Sequence, residues 1–220
     1  MGGHCRCANV RDPAPPAMEL HAQPLAPDGR PLIEVLEELL PSVLTVDRLW
    51  AEPRLAGVRE RVAAGKPVER TLAECRVRLE ASVEVVRARA ARPLVITYPE
   101  ALPVSGARAD ILCVLAAHQT FVLVGETGSG KTTQLPKLLL EAGYARRGRI
   151  ALTQPRRVAA VAMAARLREE LAADEQVIAH SVRFDDRAGE QTLVRVLTDG
   201  LLLAEAAADP LLSRYEAIII

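Results

Sequence analysis

The stretch Val122–Lys137, VLVGETGSGKTTQLPK, decides the fold. Within it the phosphate-binding pattern G-x-x-x-x-G-K-[ST] is matched from Gly125 to Thr132 without a mismatch. The apolar, β-branched run Thr120–Val124 precedes the pattern and predicts a buried strand. Leucines at helical spacing follow it in residues 131–142. Strand, glycine loop and helix in this order are the context in which the motif binds phosphate, and a flexible glycine turn beside a helix is the alternative.

The glycines of the loop predict how a phosphate chain would be bound. Glycine tolerates backbone angles that other residues resist, so successive amide N–H groups can turn inward at a helix N-terminus and form an anion site. The Lys131 ammonium would reach the β- and γ-phosphates, and the Thr132 hydroxyl would ligate Mg²⁺. We therefore interpret Lys131 and Thr132 as catalytic and Thr132 as the metal ligand. The predicted site for ATP or another nucleoside triphosphate with Mg²⁺ comprises Gly125, Glu126, Thr127, Gly128, Ser129, Gly130, Lys131, Thr132 and Thr133.

The composition is that of a folded chain without a global charge. Its 220 residues suffice for one domain and an appendage. Half of them are hydrophobic (50%) and the formal net charge is +0, so any surface that binds nucleic acid must be locally basic. No apolar run approaches the ~20 residues of a membrane helix, and the first residues lack the apolar core of a signal peptide. We expect a cytoplasmic protein without a membrane partner, in which cysteines stay reduced.

Pattern changes divide the chain into three regions. Residues 1–31 contain six of the 15 prolines and no hydrophobic period, which predicts a disordered tail. Residues 32–92 carry helix signals. Residues 93–220 form the third region, which contains the glycine loop.

The best helix signal of the middle region is Pro67–Arg92, in which Glu74 and Arg78 form an i,i+4 pair. Shorter helices are predicted at Leu32–Leu40 and Arg54–Ala64, where prolines separate the pieces. The arginines of the long helix are interpreted as a solvated face, with RNA contact as the alternative. Its apolar stripe, at steps of three and four, comprises Leu72, Cys75, Leu79, Val83, Val86 and Ala90.

Strands and helices alternate in the third region. Ser105 is a predicted N-cap for a helix that runs through His118. Alternation of this kind predicts an α/β fold with a parallel sheet covered on both faces. The strand candidates are 120–124, 149–153, 177–183, 192–197 and 216–220, and the helix candidates between them are 131–142, 156–173 and 199–208.

The phosphate-binding loop Gly125–Thr132 is called the P-loop below. Three further stretches narrow the class of protein that carries it. They read TQPRRVAA at Thr153–Ala160, VRFDD at Val182–Asp186 and TDGLLLAE at Thr198–Glu205. Together with the P-loop, in order and spacing, they resemble the first motor domain of DEAH-box RNA helicases, and ITYPEALPVS at Ile96–Ser105 resembles the bacterial members. The resemblance covers about residues 42–220. It implies a RecA-like P-loop NTPase sheet, incomplete here and preceded by a helical N-terminal region, in a protein that couples NTP hydrolysis to RNA unwinding.

The physical interpretation of these stretches agrees with the resemblance. Arg156 and Arg157 stand in the first turn of a helix at the carboxyl edge of the sheet, where open α/β sheets bind ligands. A helix N-terminus disfavours cations, so we interpret the pair as binding phosphates, with a structural salt bridge as the alternative. The helix that opens at Thr198 offers amides to a phosphate, and a simple N-cap is compatible with that role. The resemblance implies adenine stacking by Arg166 and RNA backbone contacts by Arg156, Arg157, Arg183, Thr198, Asp199 and Gly200.

The sequence departs from the family pattern at two places. Ala179 and His180 stand where the family usually has Gly-Tyr, and His180 is interpreted as a partly buried strand residue. The DEAH box of the family would begin after Ile220, so its acidic residues and the C-terminal half of a helicase are absent from this sequence. We expect these residues to bind nucleotide and to lack hydrolysis alone. The alternatives are another P-loop NTPase or kinase, or an inactive truncated fragment.

Overall fold

The computed structural model describes residues 24–220, and most of the predicted disordered tail lies outside this range. The first part of the fold is helical. It contains α1 (Leu32–Leu39), a 3₁₀ turn (Leu40–Ser42), α2 (Thr45–Ala63), α3 (Glu69–Ala91), α4 (Pro103–Gly106) and α5 (Arg108–Ala117). The second part alternates as α6 (Lys131–Glu141), β1 (Arg149–Gln154), α7 (Arg157–Leu171), β2 (Ile178–Val182), β3 (Asp185–Asp186), β4 (Val194–Thr198), α8 (Asp199–Ala208) and β5 (Tyr215–Ile219).

Residues 24–31 form a turn against the start of α1, where the sequence had predicted disorder. The Ala26 N–H donates to the Arg30 carbonyl at 2.8 Å, and the Ala26 side chain is buried. The Arg30 guanidinium binds Glu38 on α1 at 2.9 Å. Backbone bonds and an ion pair therefore order a segment whose composition alone gives no period.

Helices α1, α2 and α3 enclose a core of their own. The predicted stripe of α3 is correct for its first half, since Leu72, Cys75 and Leu79 are fully buried. In the second half Val83 packs against this core and Val86 is half-buried, but Ala90 is exposed, and the fully buried positions are the polar residues Ser82 and Arg89. Arg89 turns inward there because its guanidinium finds a carbonyl partner on the sheet side of the molecule.

Two local predictions in this helical part are wrong. Helix α2 is continuous through Pro53, since one face of the helix is buried on both sides of the proline. The predicted pair of Glu74 and Arg78 does not form. Glu74 binds Arg70 at 3.0 Å, and Arg78 binds the part-buried Asp47 of α2 at 2.7 Å, which draws it away from Glu74.

The sheet has the order β3-β2-β4-β1-β5. The four longer strands are parallel, as predicted, and the short β3 pairs antiparallel with β2. Alternate residues of β1 enter different cores: Ile150 and Leu152 pack on the side of α6 and α7, whereas Ala151 packs with Leu202 of α8. The sheet is therefore covered on both faces, which confirms the predicted α/β class.

The predicted buried strand at 120–124 is wrong. The segment has no regular secondary structure, and its backbone pairs with no strand of the described residues. Phe121 and Leu123 pack against the main core, while Val122 and Val124 are 86% and 87% exposed. The apolar run predicts an extended backbone, yet it cannot supply a neighbouring strand.

The predicted N-cap at Ser105 is also wrong. Ser105 lies inside the single turn α4, and α5 begins after Ala107. The Ser105 hydroxyl is buried and finds no hydrogen-bond partner among the described residues.

Within residues 24–220, no helix is both long enough and apolar enough to cross a bilayer.

Candidate nucleotide and nucleic-acid site

The glycine loop turns into α6 through a left-handed residue. Gly130 occupies the N-cap position with φ 88°, and a Cβ there would lie 2.8 Å from the Leu102 Cδ1 atom. Gly128 also has a positive φ, 85°, but space around it is open. Both positions need glycine for its backbone conformation, and a Cβ at position 130 would in addition require the Leu102 side chain to shift.

The Lys131 ammonium lies over the loop. It donates to the Gly125 and Glu126 carbonyl oxygens, both at 2.7 Å, and to the Ser129 hydroxyl at 3.1 Å. The adjacent Thr132 is partly buried, and its hydroxyl makes no hydrogen bond with any described residue. The first turn of α6 therefore offers one cation and one unpaired hydroxyl, while Thr133 is tied to the Gly130 carbonyl at 3.2 Å.

A buried polar cluster anchors α6 to α7. Lys137 and Gln134 are fully buried, and both bind Glu170 of α7, at 2.5 Å and 3.0 Å. Burial acts to raise the pKa of Glu170, but hydrogen bonds from Lys137, Gln134 and Arg166 outweigh it and hold that pKa below its ordinary value. The P-loop helix is thus held by a charged contact and not only by apolar packing.

Arg166 of α7 also contacts this cluster. Its guanidinium donates to the other Glu170 oxygen at 2.7 Å and is 60% exposed. The side chain predicted to stack on adenine therefore contacts the carboxylate that also holds the P-loop helix. Its role toward a base remains a prediction.

The carboxyl edge of the sheet gathers the other predicted residues. Gln154 at the end of β1 is the register partner of Thr198 at the end of β4. Arg156 follows the first of these strands, and Asp199 follows the second. The TQPRR and TDG stretches therefore emerge side by side, as adjacent parallel strands require.

Arg157 makes a hydrogen bond to the VRF turn, which comprises Val182, Arg183 and Phe184. Its guanidinium donates to the Arg183 carbonyl at 3.1 Å, and the exposed Arg183 guanidinium lies 5.0 Å from the Phe184 ring centroid. Phe184 is 91% exposed and has φ 72°. Neither Arg156 nor Arg157 forms an ion pair with a carboxylate of the described residues, so the structural salt bridge considered above is not found.

The TDG helix begins without a side-chain cap. Thr198 occupies the N-cap position of α8 but makes no capping hydrogen bond, and both Asp199 and Gly200 are exposed. The simple N-cap interpretation is therefore not supported. The first amides of α8 are open toward the carboxyl edge, which is the arrangement that favours an anion.

Helix α6 and the carboxyl-edge residues lie at different ends of α7. Arg157 begins that helix, and Glu170 lies in its last turn. At 1.5 Å per residue these positions are about 20 Å apart. No hydrogen bond or ion pair within residues 24–220 links the P-loop directly to the TQPRR, VRF or TDG stretches.

Sequence reasoning missed a buried arginine that connects the three strands behind this edge. Arg195 of β4 donates to the Ser181 hydroxyl at 2.6 Å, to Asp186 at 3.0 Å and to the Tyr215 hydroxyl at 2.5 Å. It also binds Glu205 of α8. Asp186 follows the VRF turn, Glu205 lies on α8, which begins in the TDG stretch, and Tyr215 begins β5. The Arg195 guanidinium therefore connects the VRF turn, helix α8 and strand β5. A charged residue inside the apolar strand LVRVLT was the available signal.

The electrostatics of this cluster fit a buried cation with acidic partners. Burial, followed by a hydrogen bond to Glu205, raises the pKa of Tyr215 to about 12. Burial acts to lower the pKa of Arg195, but Tyr215 and Glu205 outweigh it. His180 lies beside the cluster, 3.1 Å from Asp185; it is a residue of strand β2, as predicted, and is more buried than the partly buried position expected.

Side chains that bind metals do not converge anywhere in residues 24–220. The described residues contain no group of three or more His, Cys, Asp or Glu side chains that could hold a metal ion. Thr132 therefore stays the predicted Mg²⁺ ligand on the strength of the loop alone.

Comparison with known proteins finds named relatives. No protein-family model matches the chain. It is 43% identical over 187 residues to the ATP-dependent RNA helicase HrpA of Escherichia coli, a match that covers 84% of this chain and 14% of that protein. It is 46% identical over 138 residues to the ATP-dependent RNA helicase DHX33 of Homo sapiens, which covers 59% of this chain and 20% of the relative.

The chain therefore spans between a seventh and a fifth of the curated relatives it matches. The crystal structure of the Escherichia coli DEAH/RHA helicase HrpB is 32% identical, covers 54% of this chain and 15% of its own, and superposes with a TM-score of 0.49. The matches to HrpA and DHX33 run at 43% and 46% identity. The chain is therefore a homologue of part of these ATP-dependent RNA helicases.

Proposed function

We propose that this chain is the nucleotide-binding part of a protein that couples ATP hydrolysis to RNA unwinding. The observation that carries the proposal is the geometry at the start of α6. There a glycine with φ 88° leads into Lys131 and Thr132, and the lysine ammonium lies directly over the loop. The identity to named ATP-dependent RNA helicases supports the choice of nucleotide and of nucleic acid.

The residues of the loop would bind the phosphates of ATP. The Lys131 ammonium now satisfies two loop carbonyls, and it would exchange them for phosphate oxygens, which are stronger partners because they are charged. The Thr132 hydroxyl fits a hard cation, since it is an oxygen ligand without another partner among the described residues. Mg²⁺ held there would neutralise charge on the phosphates. Arg166, anchored by Glu170, would lie against the base.

The carboxyl edge would bind the RNA backbone. Arg156, Arg157 and Arg183 are exposed, and the first amides of α8 lie beside them. Three arginines beside a single exposed aromatic ring, Phe184, favour phosphate contacts over base reading, so we propose little sequence selectivity. Thr198, Asp199 and Gly200 would contribute through the helix start.

The proposal includes the organisation of the chain. Separate cores in the helical part and around the sheet support a helical region at 32–92 and a nucleotide-binding region at 93–220. We propose a cytoplasmic location, where nucleotide is available and cysteines such as the buried, unbridged Cys75 stay reduced. The remainder of the helicase would be the partner of this chain in the longer protein.

Calorimetric titration with Mg-ATP tests the nucleotide site. Lys131→Ala should weaken binding by about 1.5–3 kcal/mol, the usual contribution of one charge-assisted contact. Lys66→Ala, which removes an exposed lysine outside the P-loop, is the charge-matched control and should bind like the parent. Equal affinities for Lys131→Ala and the parent chain would rule out the proposed role of Lys131.

A further inference from the structure

A cavity lined by arginines lies at the opposite edge of the sheet from the predicted RNA contacts. It has a volume of about 680 Å³ and opens between α2, α3 and the amino ends of the strands. Arg149 begins β1, Glu190 precedes β4 and Arg214 directly precedes β5. None of the residues that line the cavity belongs to the P-loop or to the TQPRR, VRF or TDG stretches.

Positive charge exceeds negative charge along this wall. Five arginines and three acidic residues line the cavity. Two of the arginines are paired, Arg78 with Asp47 and Arg147 with Glu216. The remaining three form no ion pair with any carboxylate within residues 24–220: Arg89, Arg149 and Arg214.

Arg89 carries the clearest sign of a missing anion. It is only 6% exposed, and its Nε and Nη2 atoms donate to the Glu190 carbonyl at 3.0 Å and 2.5 Å. Its Nη1 atom is buried and has no hydrogen-bond partner among the described residues. Burial and the neighbouring Arg149 charge lower the pKa of Arg89 to about 10, yet a guanidinium remains protonated at neutral pH. A buried cation with an unused N–H group is costly unless an anion joins it.

The other two arginines are placed to complete such a site. Arg149 donates to the Gly189 carbonyl at 3.0 Å, and burial followed by the Arg195 charge lowers its pKa. The Arg214 side chain is exposed at the mouth of the cavity and makes no hydrogen bond with a described residue. The competing group is Glu216, whose Oε2 atom is buried without a partner and whose charge attracts Arg89 without reaching ion-pair distance.

Part of the wall is aliphatic. Leu44, Val46, Val77 and Val85 line the cavity together with the arginines. A cavity of this size is within the range of small-molecule sites, in which apolar walls surround a few converging polar groups. Guanidinium groups bind phosphate through paired N–H donors.

We propose that this cavity binds a small organic phosphate monoester. The phosphate group lies on Arg89, Arg149 and Arg214, and the organic part lies on the aliphatic wall. The site is independent of the proposed nucleotide site, because it shares no residue with it and lies on the other edge of the sheet.

Phenyl phosphate is the probe, titrated by calorimetry at constant ionic strength against a chloride reference. It should bind the parent chain and the Lys131→Ala variant alike, since that variant removes only the P-loop cation. Arg214→Gln should weaken binding at least about tenfold, the effect of losing one charge-assisted contact. Because the Arg214 side chain has no partner within residues 24–220, this variant should fold normally. Glu216→Gln should tighten binding by removing the competing carboxylate.

Arg70→Gln is the matched control, because Arg70 lies on α3 outside the cavity with a side chain that is 93% exposed. It should leave binding unchanged. Phenyl phosphate that binds no better than chloride would overturn the proposal, as would equal losses in Arg214→Gln and Arg70→Gln. Binding that is lost in Lys131→Ala and kept in Arg214→Gln would place the ligand on the P-loop and overturn it too. Inorganic phosphate that binds as tightly as phenyl phosphate would overturn the assignment of the aliphatic wall.

Discussion

The segment before the P-loop and strand β1 have similar sequences and different environments. TFVLV at 120–124 and RIALT at 149–153 are both short apolar runs that lead into a motif predicted to bind phosphate. Strand β1 lies between β4 and β5, and its central residues are almost completely buried. The segment at 120–124 packs only one face on the core, and Val122 on its other face is 86% exposed.

The difference separates what a local pattern controls from what pairing controls. A run of β-branched and apolar residues favours an extended backbone in both places. Burial on both faces requires neighbouring strands, and those come from distant parts of the chain. For β1 they are supplied by 194–198 and 215–219. For 120–124, no strand of the described residues takes that place.

A buried charge in each segment should give the largest contrast. Leu152→Asp places a carboxylate at a position that is 1% exposed in the centre of the sheet. We expect the chain not to fold, since burying an unpaired charge costs at least several kcal/mol. Val122→Asp should change the free energy of unfolding by no more than about 0.5 kcal/mol, as is usual for an exposed position.

Circular dichroism and urea unfolding of the two variants make this measurement. Val122→Asp that unfolds the chain as Leu152→Asp does would show that residues 120–124 are a buried strand, as their sequence predicts. The Val122→Thr variant controls for β propensity, because it changes polarity without adding a charge.

Charged anchoring of the P-loop helix should give the next largest effect. Glu170→Gln leaves the fully buried Lys137 ammonium without its counter-ion. Removing one partner of a buried pair costs about 3–5 kcal/mol, so we expect the free energy of unfolding to fall by that amount at pH 7. Glu169→Gln is the control, since that neighbouring side chain is 73% exposed and should contribute little.

The same pair predicts a dependence on pH. The pKa of Glu170 lies below its ordinary value of 4.5, so its carboxylate contributes stability that is complete above pH 4.5. That contribution is lost as the pH falls through the lowered pKa of the folded state. The difference in the free energy of unfolding between the parent and Glu170→Gln should therefore be constant from pH 7 to pH 5 and should become smaller below pH 4.5. A difference that does not change with pH would show that the pair does not depend on the ionised carboxylate.

The sequence predicted elements better than contacts. Helix α8 begins and ends where expected, at 199 and 208, because a helix start and an apolar stripe are local signals. The pairing of Arg78 was wrong, because a part-buried aspartate on another helix competes with the exposed i,i+4 partner. The buried Arg195 and Arg89 were missed for the same reason: their partners lie on other elements, and no local pattern identifies them.

The candidate nucleotide and nucleic-acid site shows the same difference between local signals and contacts across elements. Gly130 and Lys131 were found because the loop conformation depends on residues within a few positions of each other. The link between Arg157 and the Arg183 carbonyl, and that between Arg166 and the P-loop helix through Glu170, depend on packing between elements. Neither link could be derived from spacing along the chain.

Two loop glycines should separate backbone strain from steric contact. Gly130→Ala combines a positive φ with a Cβ placed 2.8 Å from Leu102, so we expect a loss of about 2–4 kcal/mol in stability. Gly128→Ala adds the strain alone, about 1–2 kcal/mol, because nothing lies within 4 Å of its Cβ. Urea unfolding gives both values. Adding Leu102→Ala to Gly130→Ala should recover part of the loss, and a double variant no more stable than Gly130→Ala would show that strain alone is responsible.

The smallest effect should appear where β1 ends, at the proposed RNA contacts. Arg156→Ala with Arg157→Ala removes two exposed cations that form no ion pair with the described carboxylates. Affinity for single-stranded RNA should fall several-fold, by the same factor for unrelated sequences, because phosphate contacts carry no sequence information. The slope of log K against log salt should become shallower by about 1.4, which is about 0.7 for each phosphate that an arginine no longer neutralises.

Fluorescence anisotropy over a series of salt concentrations measures affinity and slope together. The control is Arg70→Ala with Arg76→Ala, which removes two cations from the exposed face of α3, where both are paired with glutamates. If that control lowers the affinity and the slope as much as the first double variant does, the arginine face of α3 binds RNA and the carboxyl edge loses its special role. A loss that differs between RNA sequences would mean that Arg156 or Arg157 reads bases. A slope left unchanged in the first variant would show that neither arginine neutralises a phosphate, because each released counterion must appear in the salt dependence.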